Sequence, residues 1–254
     1  KGSTAAFLEA ALRAQGVRTG LFTSPHLMSF RERIRVDGQE VSSADVVAWA
    51  PDVLDLAEAD GASFFEATWA LAATVFARRG VEVAIWEVGL GGRLDATNVA
   101  DPVASAVVSV GLDHTHILGD THLAVAAEKA AIFRPGRPAL TAATGEGLDA
   151  LRAVGPAHLD VIGLHPALPT LSLPGTHQRR NASLALALAE ALERPAAPDA
   201  LNGVRWPGRG ERIGDVLLDC AHNEPAMAAL ADWLREANLG PIHLVFGAMM
   251  GKDV

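Results

Sequence analysis

The sequence has little cysteine, no long apolar run and no excess of positive charge, and each shortage excludes something. One cysteine, Cys220, leaves no internal disulfide framework and suits a reducing, cytoplasmic setting. No apolar run approaches the roughly 20 residues of a membrane span, so no membrane partner is expected. The formal net charge of −9 argues against nucleic acid as a partner, because non-specific binding needs a basic footprint. A local cationic pocket for phosphates stays open. Internal repeats and low-complexity tracts are also missing. There is no initiator Met: the sequence starts on Lys1-Gly-Ser-Thr4 and stops at Gly247-Ala-Met-Met-Gly-Lys-Asp-Val254. It reads as part of a longer protein, in which the lack of a signal peptide says little.

What is present is 254 residues, 50% hydrophobic and 20% charged, enough for one large domain or one and a half. The organising stretch is Val83-Ala-Ile-Trp-Glu-Val-Gly-Leu-Gly-Gly-Arg-Leu-Asp-Ala-Thr-Asn98. It begins as a buried-strand pattern, carries Glu87 near the strand end, and continues into a glycine-rich polar loop. Ligands of open α/β sheets sit outside the carboxyl ends of the strands, so Glu87 stands where chemistry is expected. An ordinary turn after a strand is the alternative.

Taken in order, residues 4–15 have helical spacing and strong helix formers, closed by Gly16, and 18–23 read as a strand. Lys1 to Thr4 then resemble the second half of a phosphate-binding loop, with Lys1 ahead of a helix start. Thr23-Ser-Pro-His-Leu27 places Ser24 at the next strand end. Residues 28–41 read as an exposed loop or short hairpin, and Ser42 opens a helix with capping-box-like spacing. A mostly apolar helix over 63–78 starts with Phe64, Phe65 and Glu66; the two rings suit either the core or the wall of a site for a flat ligand.

Strands follow over 102–110, 138–142 and 159–163, with helices over 123–133, 147–153 and 177–192. Asp113, His114, His116 and His122 match no common zinc spacing, so a hard cation held by Ser24, Glu87 and His114 is the better reading. Lys129 is either a snorkelling lysine or a cation, or modified lysine, facing the phosphate site. Pro- and Gly-rich sequence near Pro207 marks a domain boundary, giving units 1–206 and 207–254. The second restarts with a strand over 215–220, a helix to Asn238 and a strand over 242–246, and offers Asp219, His222 and Asn223 at a strand end. Strands alternating with helices predict an α/β fold: a doubly wound, mostly parallel sheet, then the start of a smaller α/β domain.

Together Lys1-Gly-Ser-Thr4, Thr23-Ser-Pro-His-Leu27, Phe65-Glu66, Glu87-Val-Gly-Leu-Gly-Gly-Arg-Leu-Asp-Ala-Thr-Asn98, Gly111-Leu-Asp-His114 and Leu118-Gly-Asp-Thr121 resemble the folylpolyglutamate synthase/dihydrofolate synthase family of the Mur-ligase superfamily. So do Glu128-Lys-Ala-Ala-Ile132, His177-Gln-Arg-Arg-Asn181, Pro207-Gly-Arg209 and Asp219-Cys-Ala-His-Asn223. The resemblance implies an ATP-dependent P-loop ligase that activates a carboxylate as an acyl phosphate and joins it to L-glutamate. The acid would be dihydropteroate or a folate, including folylpolyglutamates. It implies that Lys1, Gly2, Ser3 and Thr4 hold ATP phosphates, with Asn181, Arg209, Asp219 and His222 as further nucleotide contacts. Ser24, Glu87 and His114 would bind Mg²⁺, a second Mg²⁺ and K⁺ being further candidates. Lys129 would be carbamylated and, with Lys1 and His114, catalytic. Ser63, Phe64, Phe65, Glu66, Leu94, Asp95 and Ala96 would hold the pterin-bearing substrate. A monomer is expected. Two alternatives stay open: a Mur-type ligase acting on a UDP-sugar, and a nucleotide-binding relative without ligase activity.

Overall fold

Alternation along four residues of β1 (Thr19–Phe22) sets the layers. The computed structural model describes residues 1–247. Leu21 packs into one core with Phe7, Leu8, Ala11 and Leu12 of α1 (Gly2–Arg13). Phe22 points the other way, into a second core with Leu71, Val75 and Phe76 of α3 (Phe64–Arg78). Burying alternate residues on both faces is what a strand between two helical layers requires.

β1 pairs in parallel with β4 (Val83–Trp86), Leu21 opposite Ile85. On its other side it pairs antiparallel with β2 (Ile34–Val36), which turns at Asp37 and Gly38 into β3 (Gln39–Glu40). The stretch 28–41 is thus the short hairpin, preceded by a 3-10 turn over Phe30–Arg33. So short a connection can only make an antiparallel pair, which leaves the first sheet mixed, in the order β3-β2-β1-β4. The second sheet, β5 (Ser105–Val107), β6 (Ala139–Thr141) and β7 (Asp160–Val161), is parallel throughout. Between the sheets no ladder joins β4 to β5 among the described residues. The core around α1 and α7 (Thr176–Ala191) spans both instead, holding Leu21 and Ile85 of the first sheet with Leu140 of the second.

Helix starts follow the sequence signals. Ser42 accepts the Asp45 N–H at the head of α2 (Ser43–Asp60), and Ser63 with Glu66 forms a full capping box on α3. After a single helical turn, α4 (Thr115–Leu118), the chain enters α5 (His122–Ala130), which packs with α6 (Gly145–Val154) beneath Val107. None of the described helices is long and apolar enough to cross a membrane.

The C-terminal segment departs from the sequence reading. The strand expected over 215–220 is β9 (Val216–Leu218), but its partner is an unexpected β8 (Glu211–Ile213), paired antiparallel. The helix is α8 (Glu224–Glu236). Residues 242–246 were expected as a strand and run instead as exposed irregular chain. Among the described residues no sheet edge pairs with them, and a strand without a ladder leaves its backbone groups to water. Residues 248–254 lie outside the described residues.

Candidate active site

Helix α1 starts at the carboxyl ends of β1 and β4 with no acidic side chain in its first turn. Its first N–H groups have no intrahelical acceptor, so its dipole and donors suit an anion. Gly2, Ser3 and Thr4 are all buried there, and Thr4 donates through Oγ1 to Asn181 Oδ1 at 3.2 Å. Asn181 in turn donates to Gln178 Oε1 at 2.9 Å, which ties the start of α1 to α7. Lys1 Nζ donates to the carbonyls of Val88 and Gly89 at 2.6 and 2.9 Å, the first residues of the glycine loop.

Glu87 is buried at the end of β4 and accepts the Ser24 N–H at 3.3 Å. Its Oε2 lies 3.5 Å from where a β-carbon on Gly2 would stand, so Ser24, Glu87 and the head of α1 meet at one point.

Asp95 organises the glycine loop. Its Oδ2 accepts the N–H groups of Gly89 and Leu90, both at 3.0 Å. Its Oδ1 accepts the N–H and hydroxyl of Thr97, at 3.0 and 2.6 Å. Arg93 reaches α5, pairing with Glu128 at 2.9 Å. Gly92 passes so close to α5 that a β-carbon would lie 2.7 Å from the Glu128 carbonyl oxygen. At Gly89 one would lie 2.8 Å from the Phe65 ring. Both glycines are needed for close approach.

Beyond the loop is a cleft of about 260 Å³ lined by Ser63, Phe65, Glu66, Leu90, Arg93, Leu94, Asp95, Ala96, Ile117, Leu118 and Glu128. It gathers every sequence-derived substrate residue except Phe64. Phe65 is the packed ring of the pair, edge-on to Phe22 at 5.7 Å, whereas Phe64 is 63% exposed. Ser63 and Glu66 are engaged in capping α3, so their polar atoms are partly committed.

His114 adopts a left-handed backbone conformation (φ 51°) at the start of α4, its N–H on Asp113 Oδ1 at 2.9 Å. Its Nε2 is 3.9 Å from Asp113 Oδ2. Among the described residues no group of three His, Cys, Asp or Glu side chains converges as a metal site. Ser24 and Glu87 are brought together through the Ser24 backbone N–H, and the buried carboxylate suits a hard cation; His114 stands with Asp113 on the next loop. His122 faces Glu146 at 3.2 Å. Lys129 is held below its ordinary range chiefly by burial and next by the Lys1 charge, with Asp113 opposing. Its side chain makes no hydrogen bond or ion pair among the described residues.

The C-terminal segment closes the other side. Asp219 accepts the N–H groups of Gly210 and Ala221, both at 2.8 Å, and Cys220 donates its N–H to Gly208 O at 2.9 Å. These bonds set Arg209 and Asp219 side by side at the open end of the β8–β9 hairpin. His222 Nδ1 lies 2.7 Å from Cys220 O. Asn223 caps α8 and donates to Asp113 Oδ2 at 2.8 Å. Burial is the main cause of a lowered His177 pKa, with Asp219 opposing and Arg209 adding to it, so α7 and this turn also adjoin. Sequence reasoning passed over the bridging role of Asp113 and the buried Gln178. The Asp-His pair signalled the first; nothing distinguished the second.

Fold and site together define the Mur-ligase type of α/β protein. No family model matches the chain. A curated relative from Haloferax volcanii, a probable bifunctional folylpolyglutamate synthase/dihydropteroate synthase, is 39% identical over 294 residues, covering 100% of this chain and 35% of that protein. The dihydrofolate synthase/folylpolyglutamate synthase of Bacillus subtilis is 36% identical, covering 99% of this chain and 69% of its own length. Among solved structures, an FPGS–AMPPCP–folate complex matches with a TM-score of 0.83 at 30% identity, over 95% of this chain and 70% of that one. E. coli FolC with DHPP and ADP gives 0.82 at 30% identity, over 95% and 64%. The Yersinia pestis bifunctional enzyme with AMPPNP and a Mn ion gives 0.78 at 32% identity, over 92% and 63%. The chain belongs to the folylpolyglutamate synthase/dihydrofolate synthase family. It spans about a third of the archaeal relative's length.

Proposed function

We propose that this chain carries the ATP-binding core of a ligase that adds L-glutamate to dihydropteroate, to folylpolyglutamates or to both, releasing ADP and phosphate. One observation carries the reading: the loop after β4 contacts Lys1 through Val88 and Gly89 at one end, and lines the acid-sized cleft through Leu94, Asp95 and Ala96 at the other. A single short segment thus touches both the phosphate end and the acid end. Residues 1–206 would form the nucleotide unit and 207–254 the start of a further unit.

Lys1 uses two of its three donors on the loop, leaving one for a phosphate oxygen. The N–H groups of Gly2, Ser3 and Thr4 receive the phosphate chain without reorganising, which is where positioned dipoles lower the barrier to phosphoryl transfer. Glu87 and Ser24 would hold Mg²⁺, which when bound would offset charge on the transferring phosphoryl group. A carboxylate oxygen of the acid attacks the γ-phosphorus and ADP leaves. The glutamate amine then attacks the acyl carbon, and phosphate departs with that oxygen. Phe65 and Leu94 give the pterin-bearing acid its apolar wall, and Asp95 keeps the loop in shape. Arg209 and Asp219, side by side at the open end of the β8–β9 hairpin, would contact the nucleotide from the C-terminal side with Asn181 and His222.

The test is ADP release by the intact protein with Mg·ATP, L-glutamate and, in turn, dihydropteroate, tetrahydrofolate or a UDP-sugar peptide. Release that depends on both glutamate and a pterin acid supports the reading. Release with the UDP-sugar alone, or nucleotide binding with no acid-dependent release, would overturn it.

A further inference from the structure

Arg33 closes the 3-10 turn ahead of β2 and is only 9% exposed. Its neighbours in sequence have carboxylate partners. Arg31 and Arg35 share Glu40, at 3.6 and 3.9 Å. Glu32 is occupied by the N–H groups of Leu27, Met28 and Ser29. Arg33 has no carboxylate among the described residues; its one side-chain hydrogen bond runs from Nε to His26 Nδ1 at 2.8 Å. Burial lowers its pKa and no neighbouring charge opposes that. A buried cation without a counter-charge is costly, and an arriving anion offsets that cost.

The surroundings narrow the anion. The guanidinium lies over the Phe64 ring, 5.4 Å from its centroid, and Phe30 meets Phe64 edge-on at 6.1 Å. Phe64 is 63% exposed here. Phe64 sits between Ser63 and Phe65, which line the acid cleft, and His26 is two residues from Ser24 at the phosphate end. An apolar rim around a single oriented cation suits the carboxylate of an amphiphilic acid rather than free phosphate. The His26 acceptor fixes Nε and leaves the outer nitrogens as a fork for two carboxylate oxygens.

We propose that Arg33 binds a carboxylate of the acid substrate other than the one being activated, with Phe64 flanking it, and so favours folates that already carry glutamate. Dihydropteroate has one carboxylate, the reacting one; a glutamate-bearing folate has at least one more. The inference rests on the ligase reading above, and two kinds of measurement separate them.

The first is equilibrium binding of tetrahydrofolate and of dihydropteroate to the intact protein with AMPPNP and Mg²⁺ present. The second is KM for each acid and for ATP in glutamate-dependent ADP release. For Arg33→Met the expected result is a roughly ten- to hundredfold weaker Kd and higher KM for tetrahydrofolate, the loss of one charged hydrogen-bonded pair. Dihydropteroate and ATP values should stay within about threefold. Arg33→Lys keeps the charge without the fork and should fall between, which also serves if Arg33→Met does not fold. Equal losses for both acids, or none, with wild-type binding intact, would overturn the role of Arg33 alone. A wild type that binds nucleotide but neither acid would overturn both readings.

Discussion

Asn223 Nδ2 donates to Asp113 Oδ2 at 2.8 Å across 110 positions of sequence. The same Asn223 caps α8 through its Oδ1, which accepts the Ala226 N–H at 3.0 Å, and Asp113 also holds the His114 backbone. One amide therefore fastens the C-terminal segment to the loop beside Lys129. Asn223→Ser keeps an N-cap oxygen and loses the donor to Asp113. Its thermal midpoint should change little, while glutamate-dependent ADP release should fall about tenfold. Asn223→Ala loses the cap too and should cost about 1 kcal/mol of stability in addition. Equal activity in both variants and wild type would remove the bridge from the site.

Glu87→Gln keeps the size of the side chain and its acceptor for the Ser24 N–H but removes the charge beside Gly2. The expected outcome is loss of ATP-dependent glutamate addition by at least about a hundredfold, the scale on which a charge-stabilising group acts, with an unchanged melting temperature. Full activity in this variant would remove the metal assignment.

Lys129 has a folded pKa below 10.5, so between that lowered value and 10.5 the folded state binds fewer protons than the unfolded one. Stability from this group therefore rises with pH across that window and is lost as pH falls through the lowered value. Lys129→Met should flatten this slope in denaturant titrations. The lowered pKa also raises the neutral amine that carbamylation requires. Lys129→Ala should lose activity and recover part of it with added short carboxylates. No recovery would count against carbamylation.

Glu9 on α1 accepts the Gly38 N–H at 2.9 Å and the Thr19 hydroxyl at 3.4 Å, pinning the β2–β3 turn. Burial raises its pKa above 4.5, the hydrogen bond from Gly38 opposing. Its neutral form thus stabilises the fold fully below 4.5, and that contribution is lost as pH rises through the raised value. Glu9→Gln should gain stability relative to wild type from pH 4 to 8, read as urea midpoints. A constant difference across that range would contradict it.

The periodic helices were legible from their spacing, and the strands at 18–23 and 138–142 because burial on both faces imposes apolar runs on them; 83–87 was legible from its Val, Ile and Trp content although Ala84 is exposed. The hairpin stayed ambiguous because Arg, Glu and Asp dominate it, and only pairing with β1 makes it part of the sheet. Strand β8 was missed, and 242–246 was overread, because strand formation depends on a partner edge that no local pattern reveals. The motifs picked out Glu87, Ser24, Lys1 and the cleft loop, which the fold brings next to one another. They did not separate Asp95 as a loop organiser from Leu94 as a wall, nor mark Arg33, whose burial is invisible among exposed charges.

The most direct measurement follows an oxygen atom. Tetrahydrofolate carrying ¹⁸O in its reacting carboxylate, incubated with the intact protein, Mg·ATP and L-glutamate, should give inorganic phosphate containing one ¹⁸O per turnover, because that oxygen attacks the γ-phosphorus and leaves with it. Amide product formed with no label in the phosphate would contradict acyl-phosphate activation. It would also undo the reading of the loop between Lys1 and Leu94 as the place where the two substrates meet.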